Sequence, residues 1–444
     1  MTEESSGTSP TPKRDSHGRA LLGGVPLSEL VRSGTLRTPS YVYDLDAIAA
    51  EARELHQGFG SEAHLVAFAV KANSAGPVVR TLAAEGCGAD VVSGAELDVA
   101  IACGVAPSSI VYNGVAKRDD EIDKALGVGI LAIQIESVEE IGRVAARARA
   151  LGLDRRAQIS LRINPAVDFD ALETHANIAT GHDEAKFGIA QEDLPRALEI
   201  IRGAPEVRLV GLGHHIGSQI PTVQAYRTAA RTLFSLAAAF AGNGSLRDKL
   251  LFLDTGGGFG IDYGAGRPPR PREFVQAALE ERKLCELADI PLLVEPGRSL
   301  VGSHGMLISR VVQAKSSSVR GTTRRWLMID AGMNDLIRPA LYQARHRVVP
   351  LDTNGASADF TATLWRVVGP VCESSDDFGV HALPDTAPTY VALLDAGAYG
   401  FTMSNQYNGR ALPDEVFLRG GQVVAVSRAK SQDDWVADRI AIGR

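Results

Sequence analysis

The stretch that decides the fold is LVAFAVKANSAGPVVRTLAAEGCGADVVSGAELDVAIACGVAPSSIVYN, residues 65–113. Short runs rich in β-branched residues alternate here with longer segments whose apolar residues recur at helical spacing. Eight strand–helix units in about 250 residues predict an α/β fold, a (β/α)8 TIM barrel. A doubly wound open sheet is the alternative, because the sequence does not show closure. The eight β-rich runs are 65–70, 89–92, 110–113, 131–135, 158–163, 209–215, 250–254 and 292–295.

The pattern changes after residue 305, where β-rich runs are separated by turns and few segments have helical spacing. We therefore predict the barrel over residues 41–305 and a C-terminal all-β domain, sandwich-like or barrel-like, over residues 306–444. Residues 25–40 are expected to join the β domain. Residues 1–24 begin with a segment rich in Ser, Thr, Pro and charge, and are expected to form a disordered tail.

Composition excludes several classes of partner. The 444 residues include 46 Lys and Arg against 53 Asp and Glu, with no long block of either sign, so no nucleic-acid partner is expected. The longest apolar stretch is far shorter than the roughly 20 residues of a membrane span, so no membrane partner is expected. The four cysteines form no C-x-x-C pair, which predicts no metal site and fits a reducing cytoplasm.

Polar residues follow several of the predicted strands, at the end of a barrel that carries catalytic groups. Lys71 directly follows an apolar run, where desolvation is expected to lower the pKa of its amine and favour Schiff-base formation. A surface lysine at a strand end is the alternative. Gly256–Gly258 can bring backbone N–H groups close to an anion, although a plain tight turn is equally compatible.

Three further side chains are candidates for the same site. His215 could stack on a planar ring or act as an acid or base, or could be a structural hydrogen-bonding residue. Glu295 ends an apolar strand, where a buried carboxylate needs a cation such as Arg298 or a protonated pyridine nitrogen. Cys372 is the cysteine flanked by charged and turn residues. A lysine, a glycine loop, a histidine and a carboxylate together suggest pyridoxal phosphate.

Eleven motifs in register carry a family resemblance between about Tyr41 and Val426. The chain resembles the diaminopimelate decarboxylases, which are pyridoxal-phosphate decarboxylases of the alanine-racemase-like fold. The motifs are YVYD, AFAVKAN, GADVVSGAE, THANIATG with KFGI, HIGSQI, DTGGGFG, EPGRSLVG, DAGMNDLIRPALY, GPVCES, DAGAYGF and YNGR.

The resemblance implies roles for these residues. Lys71 would carry the Schiff base of pyridoxal 5'-phosphate, His215 would stack on its ring and Glu295 would keep the ring nitrogen protonated. Cys372 would donate the proton that replaces CO2, and would arrive with Glu373 from the second subunit of a head-to-tail homodimer. The other cofactor-binding residues would be Asp90, Ser218, Gly257, Gly258, Gly297, Arg298 and Tyr399, and the substrate-binding residues Arg298, Arg338, Tyr342, Glu373 and Tyr399.

The expected reaction is decarboxylation of meso-diaminopimelate to L-lysine and CO2. The alternatives are decarboxylation of ornithine, lysine, arginine or a carrier-bound amino acid, an amino-acid racemase, and a pyridoxal-phosphate-binding protein without turnover. The chain departs from the usual motifs at four places, which concern the substrate more than the chemistry. These places are Gly213-His214, Ala95, Ala176-Asn177 and Ser375-Asp376-Asp377.

Overall fold

The computed structural model describes residues 12–165, 186–242, 250–266, 268–319, 322–352 and 362–441. Its strands are β1 (Leu21–Leu22), β2 (Val25–Pro26), β3 (Ser40–Asp44), β4 (His64–Ala69), β5 (Gly88–Val91), β6 (Ile110–Tyr112), β7 (Ala132–Ile135), β8 (Ala157–Arg162), β9 (Val207–Gly213), β10 (Phe252–Asp254), β11 (Leu292–Val294), β12 (Gly305–Val319), β13 (Thr322–Ile329), β14 (Val348–Pro350), β15 (Ala362–Val368), β16 (Asp377–Pro384), β17 (Tyr390–Leu393), β18 (Asp414–Arg419) and β19 (Gln422–Ser427).

The α-helices alternate with strands in the first part of the chain and are sparse in the last part. They are α1 (Leu27–Arg32), α2 (Leu45–Gly58), α3 (Gly76–Ala84), α4 (Gly94–Ala102), α5 (Asp119–Val128), α6 (Val138–Ala150), α7 (Leu194–Gly203), α8 (Val223–Gly242), α9 (Pro271–Leu284), α10 (Arg298–Val301), α11 (Arg338–Tyr342) and α12 (Gln432–Ile440).

The chain divides into two compact units. The barrel unit consists of Ala49–Ile261 and Pro268–Leu300. The β unit consists of Met1–Ile48, Asp262–Arg267 and Val301–Arg444.

In the barrel unit, strands β4 to β11 pair in parallel and in sequence order, and β11 closes the barrel by pairing with β4. This confirms the predicted (β/α)8 barrel and excludes the open sheet. The predicted β-rich runs agree with the observed barrel strands to within two residues at every end. Local signals set the helix ends: Ser93 caps α4 by accepting a hydrogen bond from Glu96 N at 3.2 Å, and Gly129 ends α5 with φ of 76°.

The barrel interior is filled by side chains from six of its strands. Gly211 in β9 shows how tightly it is packed, because a Cβ atom there would overlap the ring of Phe252. The interior is therefore closed below the mouth, and a ligand can reach only the carboxyl ends of the strands. The buried residues of this cluster are Ala67, Val111, Ala132, Val210, Phe252 and Leu293.

The β unit is built on one sheet with the order β16-β15-β13-β12-β3-β18-β19, and β17 pairs with both β12 and β14. The separate all-β domain is thus confirmed. The boundary differs from the predicted one at residue 41, because β3 pairs antiparallel with β12 and parallel with β18. Local pattern could not reveal this, since β3 precedes the barrel in sequence and its partners lie more than 250 residues away.

The expectation of a disordered tail over residues 1–24 is not met for residues 12–24. Arg14 Nη2 donates a hydrogen bond of 2.7 Å to Pro350 O, and the fully buried Ala20 pairs its N–H with Leu351 O at 2.8 Å. Leu22 joins the hydrophobic core of the β unit. A few anchoring residues hold this segment, and average composition does not detect them. Residues 1–11 lie outside the described part of the chain.

Among the residues described, no helix combines the length and the apolar character that a membrane crossing requires.

Candidate active site

Lys71 lies at the mouth of the barrel. Strand β4 ends at Ala69, and the chain turns through a short 3-10 helix that carries the lysine. The Lys71 amine forms an ion pair with Asp90, which lies in β5 and is fully buried. The parallel register places Asp90 beside Ala69, so neighbouring strands deliver the two charged groups to one place.

Asn113 connects Asp90 to Glu295. It follows β6, and its side-chain nitrogen donates one hydrogen bond of 2.7 Å to Asp90 Oδ1 and another to Glu295 Oε1. All three side chains are buried. Two carboxylates and one amine from three strand ends therefore form a single hydrogen-bonded group around Asn113 and Lys71.

The electrostatics of this group follow from burial and crowding of carboxylates. Burial, and after it the charge of Asp90, raises the pKa of Glu295 to about 7. Burial and the neighbouring Glu295 raise the pKa of Asp254, at the end of β10, well above its usual range. A cation bound near Glu295 would therefore relieve an unfavourable concentration of negative charge.

His215 lies just past β9 and faces the same group. Its Nδ1 atom is 3.9 Å from Glu295 Oε2 and accepts a hydrogen bond of 3.2 Å from Gly257 N–H. Burial, followed by the positive charges of Arg162 and Lys71, lowers the pKa of His215 well below its usual value. The imidazole is therefore neutral at physiological pH and is oriented by the glycine loop.

The loop Gly256–Gly258 packs against other main chain. A Cβ atom on Gly257 would overlap the carbonyl oxygen of Glu295, and one on Gly258 would overlap that of Gly217. Gly256 and Gly258 also have φ of 66° and 90°, which side-chain-bearing residues rarely adopt. Only glycine gives this loop its close approach to the strand ends.

Ser218 and Arg298 form a second polar pair in the barrel unit. Arg298 is buried and donates a hydrogen bond of 2.9 Å from Nη2 to Ser218 Oγ. Gly297 precedes this arginine and is also buried. Ser218, a predicted cofactor-binding residue, and Arg298, predicted to bind both cofactor and substrate, are therefore direct neighbours.

These residues fit the pyridoxal phosphate that the sequence resemblance implies. All three groups lie in the barrel unit. Lys71 provides an amine for the cofactor's aldehyde, and Glu295 provides a buried carboxylate for its ring nitrogen. The loop Gly256–Gly258 provides a glycine cradle that side chains would fill. The raised pKa of Glu295 is the strongest sign of this fit. A protonated pyridine nitrogen is a cation, and it would stabilise the ionised form of this buried carboxyl group.

Cys372 and Glu373 lie in the β unit, on an exposed loop over residues 372–375. Cys372 Sγ is 3.5 Å from Asn408 Oδ1, and Glu373 accepts a hydrogen bond from the hydroxyl of Tyr407. The buried Asp376 supports this loop by accepting the N–H of Val371 at 2.6 Å. A departure from the usual motif, Asp376, thus has a structural role.

Arg338, Tyr342 and Tyr399 are the other predicted site residues of the β unit. Arg338 and Tyr342 begin and end α11, with the arginine buried and the tyrosine half-buried. Tyr399 has φ of 55°, in the left-handed region that is uncommon for residues with side chains. Strain of this kind is frequent at binding sites.

The other departures from the family motifs lie in the barrel part of the sequence. Gly213 has no room for a side chain, because a Cβ atom would lie 2.8 Å from that of Asp254. His214 is buried, and burial lowers its pKa to about 3. Ala95 lies in the first turn of α4. The Thr174–Ile178 segment is outside the described residues.

Sequence reasoning assigned no role to Asn113, Asp254 or Arg162, although Asn113 and Asp254 end predicted strands and Arg162 is the last but one residue of another. Arg162 ends β8, pairs with Glu136 at 2.9 Å and donates to His215 O at 3.3 Å, which holds the histidine's main chain. Their position at the ends of β-rich runs was the available signal. Each needed a partner from another strand before its role could be recognised.

Comparison with known proteins agrees with this geometry. Residues 45–302 match the family described as pyridoxal-dependent decarboxylase, pyridoxal binding domain. The diaminopimelate decarboxylase of Zymomonas mobilis is 36% identical over 427 residues, covering 95% of this chain and 97% of that protein.

Solved structures give the same result. Diaminopimelate decarboxylase from Helicobacter pylori, complexed with L-lysine, has a TM-score of 0.85 and 32% identity, covering 94% of this chain and 100% of that chain. Diaminopimelate decarboxylase from M. jannaschii in co-complex with L-lysine has a TM-score of 0.87 and 30% identity. The match covers 97% of this chain and 98% of that chain. The chain therefore belongs to the diaminopimelate decarboxylase family and is a pyridoxal-phosphate-dependent decarboxylase.

Proposed function

We propose that this protein decarboxylates meso-diaminopimelate at its D-centre and releases L-lysine and CO2, with pyridoxal 5'-phosphate as cofactor. The observation that carries the chemistry is the hydrogen-bonded group of Lys71, Asp90, Asn113 and Glu295 at the barrel mouth. The assignment of the substrate rests on relatives named diaminopimelate decarboxylase, which match this chain over nearly its whole length.

In this proposal, most of the residues that would hold the cofactor belong to the barrel unit. Lys71 would hold it through its amine, His215 would stack on its ring and Glu295 would pair with the ring nitrogen. When bound, pyridoxal phosphate supplies an electron sink for the electron pair that remains on Cα as CO2 departs. Its remaining contacts are assigned to Asp90, Ser218, Gly257, Gly258, Gly297, Arg298 and Tyr399.

Glu295 contributes to the rate by electrostatics. Its carboxylate beside the ring nitrogen would keep that nitrogen protonated, and a protonated ring takes up the electron pair left by CO2 more readily than a neutral ring does. Asn113 and Lys71 hold the orientation of the neighbouring Asp90. The site is therefore preorganised by side chains that are already hydrogen-bonded to one another.

Cys372 holds the proton that Cα receives after CO2 leaves, and a thiol is suited to that transfer. Glu373 recognises the amino-acid centre that does not react. The substrate is also contacted by Arg298, Arg338, Tyr342 and Tyr399. Cys372 and Glu373 act from the second subunit of a homodimer. Their exposure on a loop of the β unit, outside any core, supports that part of the proposal.

The same proposal includes a cytoplasmic location. The four cysteines are free thiols, as is usual for proteins of a reducing compartment. Fractionation of cells that produce the protein tests this, and recovery of the activity outside the cytoplasm would contradict it.

The test of the function is CO2 release and product analysis with purified, cofactor-loaded protein. Meso-diaminopimelate is supplied in one reaction, and L-lysine, L-ornithine and L-arginine in parallel ones. Lysine formed from diaminopimelate, with no CO2 from the other three, is the expected result. CO2 from one of the other amino acids would reassign the substrate, and no CO2 from any of them would favour a carrier-bound substrate.

A further inference from the structure

We propose that His346 is a positioning residue for Arg338, and that Tyr263 shares this task. The inference rests on the proposed function, in which Arg338 contacts the substrate, and a guanidinium there suits one of the substrate's carboxylates. It deepens that function by naming the residues that orient the arginine toward the carboxylate that the reaction leaves in place. All three residues belong to the β unit.

The contact between Arg338 and His346 is short and buried. Arg338 Nη1 lies 2.8 Å from His346 Nε2, and the two residues are 5% and 1% exposed. On its other side, His346 Nδ1 lies 2.9 Å from the carbonyl oxygen of Leu394, directly after β17. The imidazole thus bridges a strand end and the arginine that begins α11.

The chemistry of the two partners determines the protonation state of His346. A carbonyl oxygen only accepts, so Nδ1 must carry the hydrogen. A guanidinium only donates, so Nε2 must offer its lone pair. His346 is therefore the neutral Nδ1–H tautomer, and the Leu394 carbonyl fixes both its orientation and its ability to accept from Arg338.

Tyr263 adds a second restraint on the guanidinium. The Arg338 guanidinium carbon lies 4.7 Å from the centre of the Tyr263 ring, and that ring is 5.2 Å from the ring of His346 at an angle of 74°. A guanidinium covered on its face and held at one nitrogen has a fixed plane. Because arginine binds carboxylate through the edge of that plane, its orientation decides how well a carboxylate is bound.

The competing explanation is that His346 only ties α11 to the end of β17. Two amide substitutions separate the explanations. Glutamine can place an acceptor near the former Nε2 position, toward Arg338, whereas asparagine can place a donor near the former Nδ1 position, toward Leu394. Each variant keeps one of the two hydrogen bonds, so a purely structural role predicts similar losses in both.

The experiment compares wild type, His346→Asn and His346→Gln as cofactor-loaded enzymes. KM and kcat are measured with meso-diaminopimelate, and inhibition constants with L-lysine and cadaverine. These two inhibitors have the same diamine chain, and only L-lysine has a carboxylate. We expect His346→Asn to raise KM and the L-lysine inhibition constant by about tenfold or more, with a much smaller change in kcat and none in cadaverine inhibition.

Under the same proposal, His346→Gln recovers most of the loss, and both variants unfold at similar temperatures. Equal effects of the two variants, or equal weakening of L-lysine and cadaverine, would overturn it. If His346→Asn does not fold, Tyr263→Leu provides an independent variant, for which a rise in KM and in the L-lysine constant alone is expected. An unchanged KM in Tyr263→Leu would then count against the proposal.

Failure of the proposed role of His346 can be distinguished from failure of the proposed function. If the wild-type protein releases no lysine from diaminopimelate, the function fails. The comparison of L-lysine and cadaverine binding to each variant, measured by calorimetry, still tests whether His346 acts on a carboxylate through Arg338.

Discussion

The Nδ2 atom of Asn113 lies 2.7 Å from Oδ1 of Asp90, whose other oxygen accepts from Lys71. The same Asn113 atom also donates to Glu295. One amide therefore separates two buried carboxylates and keeps both in place. Its removal would leave them facing each other with one donor fewer.

We expect Asn113→Ala to lower kcat/KM for diaminopimelate by about ten- to a hundredfold and to weaken cofactor binding. Steady-state kinetics and a fluorescence titration with pyridoxal phosphate measure the two effects. Gln276→Ala is the matched control, because it removes an amide that donates to Gly58 O on the outside of the barrel. Wild-type values in Asn113→Ala would exclude Asn113 from the site.

The pH dependence of stability tests the environment of Glu295, whose pKa is raised from 4.5 to about 7. The folded state therefore binds this proton more readily than the unfolded state, so the group lowers stability progressively as pH rises from about 4.5 to about 7. Glu295→Gln lacks this effect. Its stability relative to wild type is expected to improve by up to about 3 kcal/mol between pH 5 and pH 8, in protein without cofactor.

Urea unfolding of both proteins at the two pH values gives this difference. Glu139→Gln, a substitution at an exposed ion pair with Arg196, is the control and should show no comparable change. A difference between Glu295→Gln and wild type that stays constant with pH would contradict the assigned environment. At saturating diaminopimelate, Glu295→Gln should also lose about a hundredfold or more in kcat, since it cannot pair as an anion with the ring nitrogen.

Lys71→Ala should lack the visible absorbance of lysine-linked pyridoxal phosphate, because alanine has no amine for the linkage. The rate of decarboxylation by this variant should be at least about 10³-fold below that of wild type. The exposed Lys124→Ala, which removes an amine paired with Asp98, should retain both the absorbance and the activity. A visible band that persists in Lys71→Ala would show that another amine holds the cofactor.

Cys372→Ala should bind the cofactor with an unchanged spectrum and lose about 10²–10⁴-fold in kcat, the range for removal of a general acid. Cys285→Ala, at the end of α9, is the matched cysteine control. Full activity of Cys372→Ala would remove the thiol from the mechanism.

Mixing subunits tests whether the site is shared. Lys71→Ala and Cys372→Ala dimers, dissociated and reassembled together, should recover about one quarter of wild-type activity, because half the dimers are mixed and each has one intact site. No recovery, or a fully active monomer, would contradict a site that takes Cys372 from the partner.

The barrel was predictable because its signal is local. The barrel strands have at most seven residues and alternate with helices, of which α4 begins at the capping residue Ser93, so the alternation is visible in a short window. Lys71, His215 and Glu295 were candidates for the same reason, since each lies at or just after the end of a β-rich run. Strand β3 was not assigned to the β unit, because its pairing with β12 spans most of the chain.

The sequence by itself determined the strand–helix alternation, the residues that end each strand and the motifs shared with a known family. Those properties depend on neighbours along the chain and on backbone preferences within a few residues. Only the tertiary structure decided that Asn113 bridges Asp90 and Glu295, that His346 anchors Arg338, and that residues 12–24 are docked. Each of these depends on a donor meeting an acceptor from a distant segment, and burial then determines their charge states.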